Sequence, residues 1–368
     1  MKVAVIQNSV GIGGRSKVIA ETIKLLYNFG SEIALFTFSG KESTSKFLNY
    51  FDLDDDRIDI YRPSGVASSL PGTMYEQVGL NWASKRKIDQ YDFVFNSNNT
   101  HKFLPESPDY LHYFHLPVPA IPEVNERYQS SLLHAAYAAP VQVMYRLYNQ
   151  QPKKGAVVCN SQFTATQYEE IYKSSPDGVV YPPSVESEDL EDFSGEGVVS
   201  LGSFHPNKRQ LFQIQVAERL PEIQFKIIGR RTSKEYFDRC NRYIDSQDIS
   251  NVTLYHDSTD ETVKRTLKHS MIFLHSMKNE PFGISTVEAI NAGCIPVTHD
   301  SGGQREIVPD PHLRYTTVDD CAKIIRKLLS GEYDPDPKLF KKSIKNYTST
   351  EFKSKMQEYI SIALSQID

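Results

Sequence analysis

At 368 residues the chain has room for two domains of ordinary size or one large α/β domain. Hydrophobic residues make up 39% and charged residues 24%, the balance of a globular protein, and the net charge of −5 argues against a nucleic-acid binder that works by neutralising phosphates. No apolar run approaches the roughly 20 residues of a membrane-spanning helix, and the opening "MKVAVIQNSVGIGG" lacks the form of a signal peptide.

The first segment, "KVAVIQN", is a short β-branched run ended by a turn. Glycines follow, then an amphipathic helix with Val18, Ile19, Ile23, Leu25 and Leu26 at helical spacing, stopped by Gly30. "EIALFTF" is the next strand, so the chain opens like a doubly wound parallel sheet. "YDFVFNSNN" and "DYLHYFH" predict further strands ending at polar residues, and "GAVVCNSQFTATQYEEIY" a strand and a helix.

A boundary is expected near "SPDGVVYPPSV", after which comes the acidic stretch "ESEDLEDFSGEG". The pattern then restarts with the strand "VVSLGSF", the helix "KRQLFQIQVAERL" and the strand "QFKIIGR". "VTLYHD", the polar helix "DETVKRTLKHS", the strand "MIFLHS", the strand "CIPVTHD" and the turn "SGGQREIV" complete it. The fold class is therefore α/β, with two Rossmann-like domains facing a cleft: residues 1–178, residues 179–350, and a last helix in 351–368 that packs back on the first domain. Ligands of such sheets sit beyond the carboxyl ends of the strands. The four cysteines are widely spaced, with no C-x-x-C pair, as in a reduced cytoplasmic protein.

The stretch "NEPFGISTVEA" sets Glu280 before a Pro-Phe-Gly turn and Glu288 more than a turn into the helix that follows, which is expected to begin near Ile284. The first N–H groups of that helix have no internal partners, and with the helix dipole they favour an anion such as a diphosphate. Ser285 and Thr286 add hydroxyls at the same end. A carboxylate at Glu288 can accept both hydroxyls of a ribose, and Glu280 is placed for a sugar hydroxyl beyond the phosphates. One acid at each end of a phosphate site suits a nucleotide-sugar. Taken alone, an E-x7-E spacing is more often a helix start with ordinary dipole-favoured acids.

The longer segment "NEPFGISTVEAINAGCIPVTHDSGGQREIV" resembles the signature of the retaining, GT-B-fold glycosyltransferases of family 4. "GIGG", "YFHLP", "VVCNSQFTA", "VVYPPSV" and "SLGSFHPNKRQ" agree in order, so the resemblance spans most of the chain. "YFHLP" and "SFHPNKR" are also similar to the mannosyltransferases that extend lipid-linked oligosaccharides.

The resemblance implies that Glu288 binds the donor ribose, that Glu280 contacts the transferred sugar, and that Phe282, Gly283 and Ile284 present backbone amides to the sugar and distal phosphate. Lys208 matches the lysine that neutralises the diphosphate and stabilises the leaving group. Many members carry an arginine where this chain has Ser203; Arg209 is a nearby cation, and Arg230 is a candidate for the base or phosphates. Gly13 and Gly14 would let backbone approach the donor phosphates or the acceptor, and Arg15 and Lys17 would meet an acceptor phosphate or are simply exposed helix-start cations. His115 matches a histidine near the transferred sugar, with His112, expected on the same strand face, as the competing assignment. Asn160 and Ser161 face the cleft in this alignment, or Ser161 simply caps the next helix.

The activity so implied is transfer of a hexose, with retention, from a UDP- or GDP-sugar to a glycan, a lipid-linked sugar or a small acceptor. No cofactor and no metal is expected, since there is no D-x-D in place and "LDDD" at 53–56 reads as a solvated acidic loop. Peripheral membrane contact stays open. The rival readings are a non-catalytic sugar- or nucleotide-binding protein on the same fold, a nucleotide-sugar epimerase or a phosphorylase, and an NAD-dependent oxidoreductase suggested by "GIGG".

Overall fold

The computed structural model describes residues 1–64, 72–125, 128, 131–147, 151–152, 154–184 and 195–365, the side chains at 341 and 365 apart. The acidic stretch expected after the boundary lies mostly outside these residues. Contacts divide the chain into two compact units, Met1–Pro183 together with Ser349–Asp368, and Ser184–Thr348.

The first unit is built on a seven-stranded sheet. Its strands are β1 (Lys2–Ile6), β2 (Glu32–Phe36), β3 (Ile58–Tyr61), β4 (Phe93–Asn96), β5 (Asp109–Phe114), β6 (Ala156–Cys159) and β7 (Gly178–Val179). They run parallel in the order β3-β2-β1-β4-β5-β6-β7. The central strands are buried on both faces, as the near-continuous apolar runs require. One face packs on helices Gly14–Asn28 and Ser349–Ser365, burying Val18, Ile19, Ile23, Leu25 and Leu26 together with Phe352, Met356 and Ile360. Lys353 of the last helix also reaches Glu21 at 2.9 Å. The other face carries helices Thr73–Ile88, Leu132–Leu147 and Gln162–Tyr172.

The first unit extends to Pro183 rather than to 178 because β7 still pairs with β6 and Val180 is buried in its core. The Tyr113 hydroxyl donates to the Val180 carbonyl at 2.7 Å, tying the segment to β5.

The second unit has a six-stranded sheet: β8 (Val198–Leu201), β9 (Phe225–Gly229), β10 (Val252–His256), β11 (Ile272–His275), β12 (Ile295–His299) and β13 (Arg314–Tyr315). Its order, β10-β9-β8-β11-β12-β13, is all parallel and is the doubly wound order of a dinucleotide-binding fold. The strand order reverses between β8 and β11, and this switch point is where such sheets hold ligands. The four cysteines are free and buried. No helix among the described residues is long and apolar enough to cross a membrane.

Candidate active site

In the second unit, Lys208 and Glu280, two of the residues selected from sequence, meet at the switch point. β11 delivers His275 and Ser276, and a loop from Met277 to Gly283 leads into the helix Ile284–Asn291. No side chain caps that helix; Thr286 N donates to the Gly283 carbonyl at 3.0 Å, which leaves the N–H groups of Ile284 and Ser285 to be met from outside the helix. Gly283 has φ +118°, and a Cβ there would lie 2.0 Å from Gln304 Nε2, so both conformation and space demand glycine.

The loop is held from behind by residues 301–304. Asn279 N donates to Ser301 Oγ at 2.8 Å, and Gly303 N donates to the Glu280 carbonyl at 2.8 Å. Gln304 Nε2 donates to the Phe282 carbonyl at 3.1 Å, while its Oε1 accepts from Thr286 Oγ1 at 2.9 Å. The Phe282 ring is buried edge-on against Tyr347.

Lys208 ends a short turn after β8, Pro206–Lys208. Ser276 Oγ donates to the Lys208 carbonyl at 2.6 Å and accepts from Gln213 Nε2 at 2.7 Å, which fixes the turn to β11. Lys208 Nζ then sits 2.5 Å from Glu280 Oε2, and His275 Nε2 lies 3.4 Å from the same oxygen. Burial would raise the Glu280 carboxyl, but the Lys208 ammonium and the His275 ring outweigh it and hold the group well below the ordinary carboxylate range. Burial lowers the His275 ring, against the pull of Glu280, so this histidine is neutral at pH 7. His275 was not among the residues selected from sequence. Its only signal was a polar residue at the carboxyl end of a buried strand.

Glu288 lies on the helix past Ser285 and is partly buried. Arg209 turns away from Lys208. Its backbone is left-handed at φ 54°, its guanidinium donates to the Ser276 carbonyl at 3.0 Å, and it lies over the Phe212 ring at 4.6 Å. Ser203 contributes its carbonyl, which accepts from Gln210 Nε2 at 2.9 Å. Arg230 is exposed just beyond β9.

In the first unit, Gly13 and Gly14 open the helix Gly14–Asn28 beyond β1, and Arg15 follows, exposed. His115 sits just past β5, 7% exposed. Burial first, and the Arg15 charge second, push its ring well below the ordinary histidine range, so Arg15 and His115 are electrostatic neighbours. His115 Nε2 is 2.8 Å from Ser97 Oγ, its backbone N donates to Asn99 Oδ1 at 2.6 Å, and its carbonyl accepts from Thr164 Oγ1 at 3.1 Å. Ser97 and Asn99 come from the "NSNN" end of β4, which sequence reading treated only as strand punctuation. Asn160 is buried beside them and accepts from Ser161 Oγ at 3.3 Å, and Ser161 caps the helix Gln162–Tyr172 by accepting from Thr164 N at 3.0 Å.

His112 does not share the face of His115, which corrects the expectation from sequence. The two are three residues apart, and side chains alternate along a strand. His112 stacks on Tyr110 at 5.0 Å and its Nδ1 is 3.0 Å from Asn96 Nδ2, whereas His115 packs against Tyr113. Burial, with His101 nearby, pushes its ring down to about 3, so it is a neutral core histidine. Asp54, Asp55 and Asp56 form an exposed acidic cluster beside β3, remote in sequence from both strand-end sites.

Residues 187–347 match the family model "Glycosyl transferases group 1". Among curated proteins, the chain is 28% identical over 199 residues to the GDP-Man:Man(3)GlcNAc(2)-PP-Dol alpha-1,2-mannosyltransferase of Xenopus laevis, covering 47% of this chain and 41% of that protein. It is 29% identical over 182 residues to the Homo sapiens enzyme of the same name, covering 42% and 36%. The matched region thus spans about two fifths of these relatives. Among solved structures, Anabaena HepE in complex with UDP and glucose aligns with a TM-score of 0.69 at 16% identity, covering 98% of this chain and 99% of that one. Sucrose-phosphate synthase from Thermosynechococcus elongatus aligns with a TM-score of 0.66 at 15% identity, covering 99% and 97%. The chain therefore has the GT-B fold, and its second unit is similar to the group 1 glycosyl transferases.

Proposed function

We propose that this protein is a retaining glycosyltransferase that moves a hexose from a nucleotide-diphosphate sugar to an acceptor hydroxyl. The observation that carries the reading is the pairing of Lys208 with Glu280 beside the uncapped N-terminus of the helix that bears Glu288. Lys208 and the first N–H groups of that helix receive the diphosphate, with Phe282, Gly283, Ile284 and Ser285 lining the approach. Glu288 takes the ribose diol, and Glu280 a hydroxyl of the sugar. Arg209 braces the Lys208 turn through Ser276 and contributes charge rather than direct contact.

The acceptor hydroxyl attacks the face from which the diphosphate leaves. A departing phosphate oxygen takes the acceptor proton, and the protein supplies position and charge with no obligate nucleophile. Lys208 and the helix terminus can carry the diphosphate charge without a metal ion, so transfer is expected to survive a chelator. In the first unit, Arg15 and Asn160 would bind the acceptor, Gly13 and Gly14 would admit a phosphate of the donor or the acceptor, and His115 would act near the transferred sugar.

The relatives' names favour GDP-mannose as donor and a lipid-linked oligosaccharide as acceptor. A peripheral, cytoplasmic-face placement is in keeping with this. The helix Leu132–Leu147 exposes Leu132 at 90%, Leu133 at 83% and Leu147 at 72%, more apolar side chain than water favours.

Titration of the protein with UDP and with GDP, repeated on Glu288→Ala, tests the donor site. Binding of one nucleotide that is lost in the variant supports the reading and selects the donor series. Binding of neither by folded protein moves the non-catalytic reading forward, and trapping of a covalent glycosyl-enzyme on a carboxylate would overturn the mechanism.

A further inference from the structure

Glu280 Oε2 serves two partners at once, Lys208 Nζ at 2.5 Å and His275 Nε2 at 3.4 Å. If Lys208 is the cation that receives a diphosphate, an incoming anion competes with Glu280 for it. The Glu280 side chain is only 15% exposed, against 32% for Lys208. The lysine can move its charge toward a ligand, and the carboxylate cannot move its own toward water. A buried carboxylate that loses its cation needs another.

His275 is placed to become that cation. It is 4% exposed at the end of β11, and its carbonyl is held by the Tyr315 hydroxyl at 2.9 Å. A carboxylate can only accept, so the neutral ring must carry its proton on Nε2. Nδ1 is then the basic lone pair, and it makes no hydrogen bond. Gln210 Oε1 and Gln213 Oε1, two buried acceptors that also make none, line the same small pocket as His275. A proton added at Nδ1 would leave Nε2 facing Glu280. The charged groups that act on the ring are Glu280, which favours protonation, and Lys208, which opposes it. Arg209 is the next cation, bound at the Ser276 carbonyl.

We infer that His275 is a positioning residue that takes up a proton from solvent when a nucleotide-diphosphate sugar draws Lys208 away from Glu280, so that Glu280 stays ionised and oriented in the loaded site. The inference rests on the donor site proposed above. It makes donor binding stronger as pH falls through the range in which free His275 is neutral and loaded His275 is charged.

The test is calorimetric titration of the full chain with GDP-mannose and with UDP-glucose near pH 7, in buffers of different ionisation enthalpy. The diphosphate of an intact nucleotide-sugar does not titrate in this range, so any proton taken up belongs to the protein. The expected result is uptake of up to about one proton per ligand bound, abolished in His275→Gln while binding persists. NMR of the ring signals follows the same event without a mutation: of the ten histidines, one should shift to the charged form on saturation. Binding without proton uptake, or uptake that survives His275→Gln, overturns the inference and leaves the donor site standing. Failure of either nucleotide-sugar to bind folded wild-type protein overturns the donor site itself.

Discussion

Removing Lys208 and removing the charge of Glu280 should not cost the same. Lys208→Ala strands a carboxylate that is 15% exposed, with His275, neutral in the wild type and free to take up a proton at a cost, as its remaining partner. Breaking a buried pair from one side costs about 3–5 kcal/mol, and the residual exposure argues for the lower end, about 3 kcal/mol. Glu280→Gln strands an ammonium that is 32% exposed and can reach water, so about 1 kcal/mol is expected. At roughly 2–4 °C per kcal/mol for a unit of this size, thermal unfolding should show a drop of about 6–12 °C for Lys208→Ala and about 2–4 °C for Glu280→Gln. The double variant should resemble Glu280→Gln, because the stranded charge is gone. The folded-state carboxyl of Glu280 is depressed below its ordinary value of 4.5. The stability it contributes is therefore fully present above that pH and is lost as pH falls below it toward the folded value. The gap between wild type and Lys208→Ala must narrow in acid. Equal losses in the two single variants, or a gap that does not change between pH 7 and pH 3, would refute the reasoning.

Glu288→Ala removes the two acceptors offered to the ribose diol, and nucleotide affinity should fall about 10- to 100-fold, read by titration calorimetry. Gly303→Ala would place a Cβ 2.4 Å from the Pro281 carbonyl. The Glu280 loop must shift, costing about 1–3 kcal/mol in chemical unfolding and weakening nucleotide-sugar binding, whereas Gly331→Ala on the same unit displaces no neighbour and should leave binding intact. Ser97→Ala leaves His115 Nε2 without its hydroxyl partner, and a loss of about 1–2 kcal/mol is expected on unfolding, with donor affinity unchanged because both residues belong to the first unit.

The site was legible in the sequence where it is local. Glu280, the Pro-Phe-Gly turn and Glu288 lie within nine residues of chain, and the helix Ile284–Asn291 begins where the glycine and the β-branched run place it. His275 and Ser97 were not legible. Each is an ordinary polar residue at a strand end, and its importance comes from a partner, Glu280 or His115, that packing brings to it. His112 shows the opposite error. Its motif neighbourhood suggested a role beside His115, but strand alternation turns it into the aromatic layer with Tyr110.

The sequence by itself determined two parallel α/β units, because buried parallel strands must be continuous apolar runs and most runs here are followed by a turn and a helix. It also determined the acid–turn–helix segment, whose chemistry is built from consecutive residues. Only the tertiary structure decided that Lys208 answers Glu280 while Arg209 turns to Ser276 and Phe212. These contacts join residues about 70 positions apart in the chain, as the separations of 72 and 67 show. No local pattern encodes which of two adjacent cations faces a carboxylate. That is set by the partners that packing supplies, Glu280 for Lys208 and the Ser276 carbonyl for Arg209.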